Sequence, residues 1–391
     1  MAKQTATYST RRAAIALIGG GIVLASTVLA GCSGAYPSAA VQPWQPALPE
    51  EDPRRFMLAH ALLAPNPHNR QPWLADLRRE GEIALVCDKE RLLPATDPFG
   101  RQILIGCGAF IELAVIAGAE RGYRVQVQLF PDGEPGAQEL PGGRAVARLT
   151  LIAESAMARD PLFAQIRRRH THKGAYDETR QISDQSQARL LLGVPGQDLS
   201  IGLVQDAARI AQMRSITRAA FEAEVTTART WLESAHLLRI GPGEIEQHRD
   251  GISIMGALPR LASALGLYDR FEVPERGSSS FERTMDVWRP QESGSGYFWI
   301  ASRGNSRRSQ VDCGRLYVRS QLEATARGLD MHPLSQALQE FPEVRPQCEA
   351  LHRLLGFDPA QSTIQMLARV GYGLKPAQAS PRRDLAQLLR A

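Results

Sequence analysis

The segment Ala64-Pro65-Asn66-Pro67-His68-Asn69-Arg70-Gln71-Pro72-Trp73 constrains the fold more tightly than any other stretch of the chain. Its three prolines fix φ and remove backbone donors, so neither a continuous helix nor an inner strand can pass through it. A helix should precede it. Asp52-Pro53 supplies an N-cap and a proline at the first helical position, and Phe56, Met57, Leu62 and Leu63 recur at roughly helical spacing until Pro65. A strand should follow it. Between the two, Asn66, Asn69 and Gln71 offer amide donors and acceptors without charge, which suits the edge of a flat heterocycle. A capped helix end and turn is the competing reading.

Two basic segments lie far downstream. In Arg167-Arg168-Arg169-His170-Thr171-His172-Lys173, residues Arg169, Thr171 and Lys173 alternate, so an extended backbone puts two cations and a hydroxyl on one face. That set matches a small anion such as a phosphate, whose oxygens favour charge-assisted donors. A solvated basic turn would carry the same residues. His170 and His172 lack the carboxylate or cysteine company of a metal site. Ser380-Pro381-Arg382-Arg383, after Arg369-Val370-Gly371-Tyr372-Gly373, offers two more cations on a proline-fixed turn.

The remaining pattern predicts α+β architecture in two related lobes. Ile83–Val86 reads as a strand, Cys107–Glu120 as a buried helix, Tyr123–Leu129 as a half-buried strand, and Val146–Leu151 as another. These fill a first half, residues 51–158. The second half, 159–391, opens with a helix near Asp160. It continues through a long helix over 207–238, a loop-rich stretch 241–296 long enough to form a lid, a strand over 297–302, helices over 311–328 and 335–355, and a last strand over 364–372.

The first forty residues read as an address. Ser9-Thr10-Arg11-Arg12 precedes an uncharged apolar stretch, Ala13–Ala30, and Leu29-Ala30-Gly31-Cys32 resembles a lipobox. This predicts a signal peptide over 1–32, export by the twin-arginine route and lipidation of Cys32, giving a periplasmic, membrane-anchored protein with residues 33–50 as its tether. A retained anchor or an ordinary secretory signal would look similar. Cys87, Cys107, Cys313 and Cys348 are widely spaced in apolar surroundings and read as buried thiols, with one disulfide left open. A net charge of +5 spread over 391 residues excludes a nucleic-acid binder that works by bulk charge.

Taken together, the 64–73 loop, Asp97-Pro98-Phe99-Gly100-Arg101 leading into Cys107-Gly108-Ala109, the Arg-x-Thr-x-Lys segment and the closing Pro-Arg-Arg resemble the FMN-dependent nitroreductase superfamily. The likeness is greatest to its Acg-like branch of doubled, single-chain proteins, and it runs from about Asp52 to Leu388. It implies a nitroreductase-like pseudo-dimer holding one FMN. Arg169, Thr171, Lys173, Arg382 and Arg383 would hold the phosphate, while Asn66, Asn69 and Gln71 would approach the isoalloxazine and ribityl from the other lobe. It also implies a ping-pong oxidoreductase acting on a nitro, quinone or similar acceptor. The flavin would carry the chemistry, with His68 as a candidate proton donor. Asn66 and Pro67 stand where the family has small hydroxyl residues, and Lys173 replaces an arginine, losing its bidentate fork. A built-in dimer implies that the chain works as a monomer. The electron donor is left open, and so are two other functions: a non-enzymatic flavin-sequestering lipoprotein with an occluded site, and an interaction lipoprotein without flavin.

Overall fold

The computed structural model describes residues 36–46, 50–191, 198–256 and 268–390, with isolated positions 261, 263, 265 and 266. Arg11, Arg12 and Cys32 lie outside these residues. Two four-stranded antiparallel sheets form the frame. The first contains β1 (Trp73–Asp76), β2 (Glu82–Cys87), β3 (Tyr123–Leu129) and β4 (Ala145–Ala153), in the order β1-β2-β4-β3. The second contains β5 (Leu199–Val204), β8 (Gly296–Arg303), β9 (Asp330–Pro333) and β10 (Ser362–Gly371), in the order β5-β8-β10-β9. Strand for strand this is the same arrangement. β6 (Leu238–Ile240) and β7 (Ile252–Ile254) make a small parallel pair apart from both sheets.

The helices, in chain order, are α1 (Ser38–Val41), α2 (Pro53–Ala61), α3 (Arg101–Glu120), α4 (Asp184–Leu190), α5 (Ala207–Thr226), α6 (Ala228–Leu237), α7 (Gly241–His248), α8 (Ser279–Trp288), α9 (Arg307–Ala326) and α10 (Arg345–Leu355). α3 is apolar on nearly every face, as a helix enclosed by protein should be. It is long and apolar enough to cross a membrane, but its surface is buried inside the protein. Its first turn is held by Asp97, whose carboxylate accepts from the backbone of Gln102 at 3.1 Å and Ile103 at 2.9 Å.

α3 and α9 occupy equivalent places in the two lobes and cross at one glycine each. A Cβ on Gly108 would stand 1.9 Å from the Val311 carbonyl oxygen, and one on Gly314 would stand 1.8 Å from that of Ile105. The contact is reciprocal. Val311 packs into the first lobe's core and Ile105 into the second's. The first residues of the two helices, Arg101 and Arg307, are both buried and both reach across the dyad. Arg101 donates to the Ile364 carbonyl at 3.3 Å, and Arg307 to the Ala137 carbonyl at 2.7 Å. Two related α+β lobes thus form a pseudo-dimer within one chain.

Several segments depart from the sequence expectation. Residues 36–45 of the supposed tether fold as α1 and a following turn and pack on the body, because Trp44 finds a buried seat there. The helix near Asp160 is a short 3-10 turn, Pro161–Gln165. The 207–238 helix breaks at Thr227, whose backbone is extended (ψ 115°), giving α5 and α6. The 335–355 helix starts only at Arg345, because Gln339 is extended (ψ 153°) and Pro342 opens a separate turn. The stretch 241–296 holds α7, β7 and α8. β5 and β9, which the sequence reading passed over, add to the second sheet. Cys87, Cys107, Cys313 and Cys348 are all free thiols.

Candidate anion site between the lobes

The 66–71 loop leaves α2 over the N-terminal half of α3, where Gly106 leaves room for it. A Cβ there would come within 3.1 Å of Asn66 Cβ. Three of its residues, His68 (φ 46°), Asn69 (φ 51°) and Gln71 (φ 50°), are left-handed. For His and Gln that conformation costs roughly 1–2 kcal/mol each, so it persists only if its surroundings enforce it. They do. Asn66 Oδ1 accepts from the Gln71 backbone at 2.7 Å, and Gln71 Nε2 donates to the Arg249 carbonyl at 2.8 Å. The Gly251 backbone donates to the Asn69 carbonyl at 3.3 Å. From the C-terminal segment, the Arg383 backbone donates to Gln71 Oε1 at 2.8 Å, while Asn69 Nδ2 donates to the Pro381 carbonyl at 3.0 Å.

Residues 169–173 run along the edge of β9, with Thr171 bridged to Met331. Arg369, fully buried in β10, fixes their continuation by donating to the His172 carbonyl at 3.2 Å and the Gly174 carbonyl at 2.7 Å. Arg169 points inward. It donates to Gln321 Oε1 at 3.0 Å and to the Leu63 carbonyl at 2.8 Å. Arg382 arrives from the C-terminal segment and donates to the same Leu63 carbonyl at 3.1 Å, to Ala64 at 3.1 Å, to Ser380 Oγ at 2.7 Å and to Asn69 Oδ1.

Arg169 and Arg382 are 1% and 2% exposed. Among the described residues neither lies within 4.0 Å of a carboxylate, and the Nε of each has no hydrogen-bond partner. Burial lowers the pKa of Arg169 to about 10, and burial with Arg169 nearby pushes Arg382 well down. A guanidinium keeps its proton inside a protein, so both are cations. Two enclosed, uncompensated guanidiniums on one carbonyl are costly in isolation, and an anion between them would offset that cost. The unpartnered Tyr317 hydroxyl and Gln321 Nε2, on the face of α9 that carries the Arg169 contact, extend the donor set.

The other sequence candidates fall into two groups. Among the described residues the side chains of Thr171 and Lys173 make no hydrogen bond, and Lys173 is exposed, so both remain available to a ligand. Arg383 turns away. Its guanidinium donates to the Trp73 and Gln387 carbonyls at 3.3 Å and lies 3.9 Å from Asp88. The amides of Asn66, Asn69 and Gln71 are engaged within the protein, so they position the loop and the C-terminal segment. A cleft of about 290 Å³ bounded by Ser200, Arg303 and Phe357 lies at the end of the second sheet and includes none of these residues.

His68 brings a further pair. Its Nε2 lies 4.0 Å from Glu224 Oε1 of α5, and its Nδ1 is unpartnered. Burial lowers the imidazole to about 4 and raises the Glu224 carboxyl to about 7, so near neutrality the imidazole is uncharged and the carboxyl is poised between its two protonation states. Gln339 Nε2 donates to Glu224 at 2.8 Å. Glu224 and Trp44 escaped the sequence reading, which takes Arg369 only as the head of the segment before the closing arginines, without its part in holding residues 172–174. Only Trp44 left a visible signal, as a lone tryptophan in a proline-rich stretch.

No family model matches the chain. A Mycobacterium tuberculosis protein with a provisional NAD(P)H nitroreductase name is 26% identical over 358 residues, covering 87% of this chain and 92% of that protein. The M. tuberculosis nitroreductase acg, also provisionally named, is 42% identical over 72 residues, 18% of this chain and 22% of its own length. Among solved structures, the FMN-dependent nitroreductase NfnB from Mycobacterium smegmatis in complex with NADPH covers 58% of this chain and 96% of its own, at 15% identity and a TM-score of 0.36.

Proposed function

We propose, on the premise that this chain belongs to the nitroreductase superfamily, that it is an FMN-dependent oxidoreductase with one flavin site between its lobes. The observation that carries the reading is the buried Arg169–Arg382 pair, two cations with unpartnered Nε donors and, among the described residues, no carboxylate beside them. They would hold the FMN phosphate, with Thr171 and Lys173 completing the set from the β9 edge. Arg369 would hold that edge in place, and the 66–71 loop would close over the nucleotide. Bound FMN supplies the redox chemistry, taking electrons from a donor and passing them to a nitro, quinone or similar acceptor in a ping-pong cycle. The protein's part is to bind, orient and enclose it. His68 and Glu224 together hold a proton at the lobe interface.

NAD(P)H is the donor implied by the names of the relatives. Arg11-Arg12 and the lipobox at Cys32 support export by the twin-arginine route and anchoring by lipid in the periplasm, where a quinol or redox protein would serve as donor instead. With its dimer built in, the chain would act as a monomer.

The test is anaerobic mixing of the purified yellow protein with NADPH, a quinol or dithionite, followed by a nitroaromatic or quinone. Bleaching by a biological donor and recovery on adding acceptor supports the enzyme. One observation favours a flavin-sequestering role instead: the loop is gripped from both sides, by Arg249 and Gly251 and by Pro381 and Arg383. If dithionite bleaches the flavin but no donor–acceptor pair turns it over, that second reading replaces the first. Colourless protein that takes up no FMN overturns both.

A further inference from the structure

The segment Tyr36–Gln45 lies against the cation pair. α1 and the turn after it bring the indole of Trp44, 6% exposed, over both guanidiniums, 5.4 Å from Arg169 and 5.1 Å from Arg382. The indole is fixed at its edge, because Nε1 donates to the Ser380 carbonyl at 2.7 Å. The Arg382 backbone donates to the Ala40 carbonyl at 2.9 Å, and Arg167 donates to Pro43 at 3.0 Å and to Gln45. His170 meets the ring edge-on with centroids 4.6 Å apart.

The chemistry of this contact is selective. A carboxylate at this position would neutralise the arginines and occupy the donors a phosphate needs. An indole face stabilises a cation through its quadrupole and leaves the N–H groups free. His170 likewise adds no positive charge, since burial beside Arg169 and Arg382 lowers its imidazole to about 4.

We propose that Trp44 is a positioning residue of the flavin site, holding Arg169 and Arg382 together for a phosphate monoester and closing that end of the site with the segment Tyr36–Gln45. This rests on the FMN reading above and extends it to a segment outside the lobes. It assigns the selectivity between FMN and riboflavin, which differ only in the phosphate, to residues 36–45 as well as to the arginines.

The experiment compares wild type, Trp44→Ala and Trp44→Phe in the full mature chain. FMN and riboflavin affinities are measured by flavin fluorescence, and thermal midpoints are measured without flavin at rising inorganic phosphate. In Trp44→Ala, FMN affinity should fall on the order of ten-fold or more while riboflavin affinity changes less than about two-fold, and Trp44→Phe should recover most of the loss. Phosphate should raise the midpoint of wild type more than that of Trp44→Ala. Equal losses for both flavins, or no loss for either, would overturn the assignment, because a purely structural tryptophan does not distinguish them. If wild type binds neither flavin, the FMN reading fails by itself and the phosphate series decides. Protection lost in Trp44→Ala sustains the anion-positioning role; equal protection, or none in either protein, ends it.

Discussion

The same connection takes opposite forms in the two lobes. Between β1 and β2 the first lobe turns within residues 77–81; between the equivalent β5 and β8 the second inserts residues 205–295. That insertion reaches back over the first lobe and grips it. Asp250 pairs with Arg70 at 3.1 Å and Arg91 at 2.9 Å, Glu233 accepts from the backbone of Ala95 at 2.7 Å, and Arg249 takes the Gln71 amide. The repeated frame is conservative and the connections are not. A dyad of equal lobes presents two equivalent clefts, yet the left-handed loop lies in the first half and the cationic segments in the second. The loop of one half and the cationic segments of the other therefore meet at one place, where Asn69 accepts from Arg382.

Breaking the shared frame should have the largest effect. Gly108→Ala and Gly314→Ala each press a methyl into the opposite helix's backbone, and each should cost about 3 kcal/mol or more in chemical denaturation, with similar values for the two. Gly136→Ala, with nothing within 4 Å, should stay within about 0.5 kcal/mol. A large difference between Gly108 and Gly314 would mean that the lobes share a topology but not the burden of packing.

Next comes the asymmetric site. Arg382→Met removes a buried, uncompensated charge and should weaken FMN about a hundred-fold in equilibrium titration. The flavin-free protein should lose little stability, because the relief of that charge offsets the lost hydrogen bonds. A large loss of flavin-free stability would recast Arg382 as a structural strut.

The insertion's grip is read by pH. Glu224, raised to about 7 from an ordinary 4.5, holds a proton in the folded chain that the unfolded chain has released. Its contribution is therefore full below pH 4.5 and lost as pH rises through about 7. His68, lowered to about 4 from 6.5, works the other way, with stability present above 6.5 and lost as pH falls toward 4. His68 is present in both proteins and its contribution cancels in the comparison, so Glu224→Gln should gain on wild type between pH 5 and 8 by up to about 2 kcal/mol. Identical pH profiles would show that the carboxyl is not held neutral. Smallest of all, Lys173→Ala should lower FMN affinity a few-fold in a salt-dependent way and leave stability within about 0.5 kcal/mol, since its side chain is exposed.

The loop and the cation segments were legible because proline, amide and arginine spacing speaks locally. Asn69 does meet Arg382, and Arg169 shares the Leu63 carbonyl with it. What stayed hidden depends on distant partners. Arg383 and Arg382 are neighbours of the same type, and only the position of Asp88 and the Trp73 carbonyl sends one away from the site. The amides of Asn66 and Gln71 looked free for a ligand, but the left-handed loop and the Arg249 and Arg383 backbones engage them. Trp44 read as tether because proline-rich composition masks a side chain whose seat is made by residues 169, 170, 380 and 382. β5 does alternate Leu199, Ile201 and Leu203 with Ser200 and Gly202 but is only six residues long, whereas the four residues of β9 carry a histidine and a proline and take their order from β10.

The central claim is that two lobes of one fold furnish a single flavin site. Its most direct test is the number of FMN molecules bound per chain at saturation, from an equilibrium titration against a known protein concentration. One per chain is expected; two, or none with correctly folded protein, would contradict it.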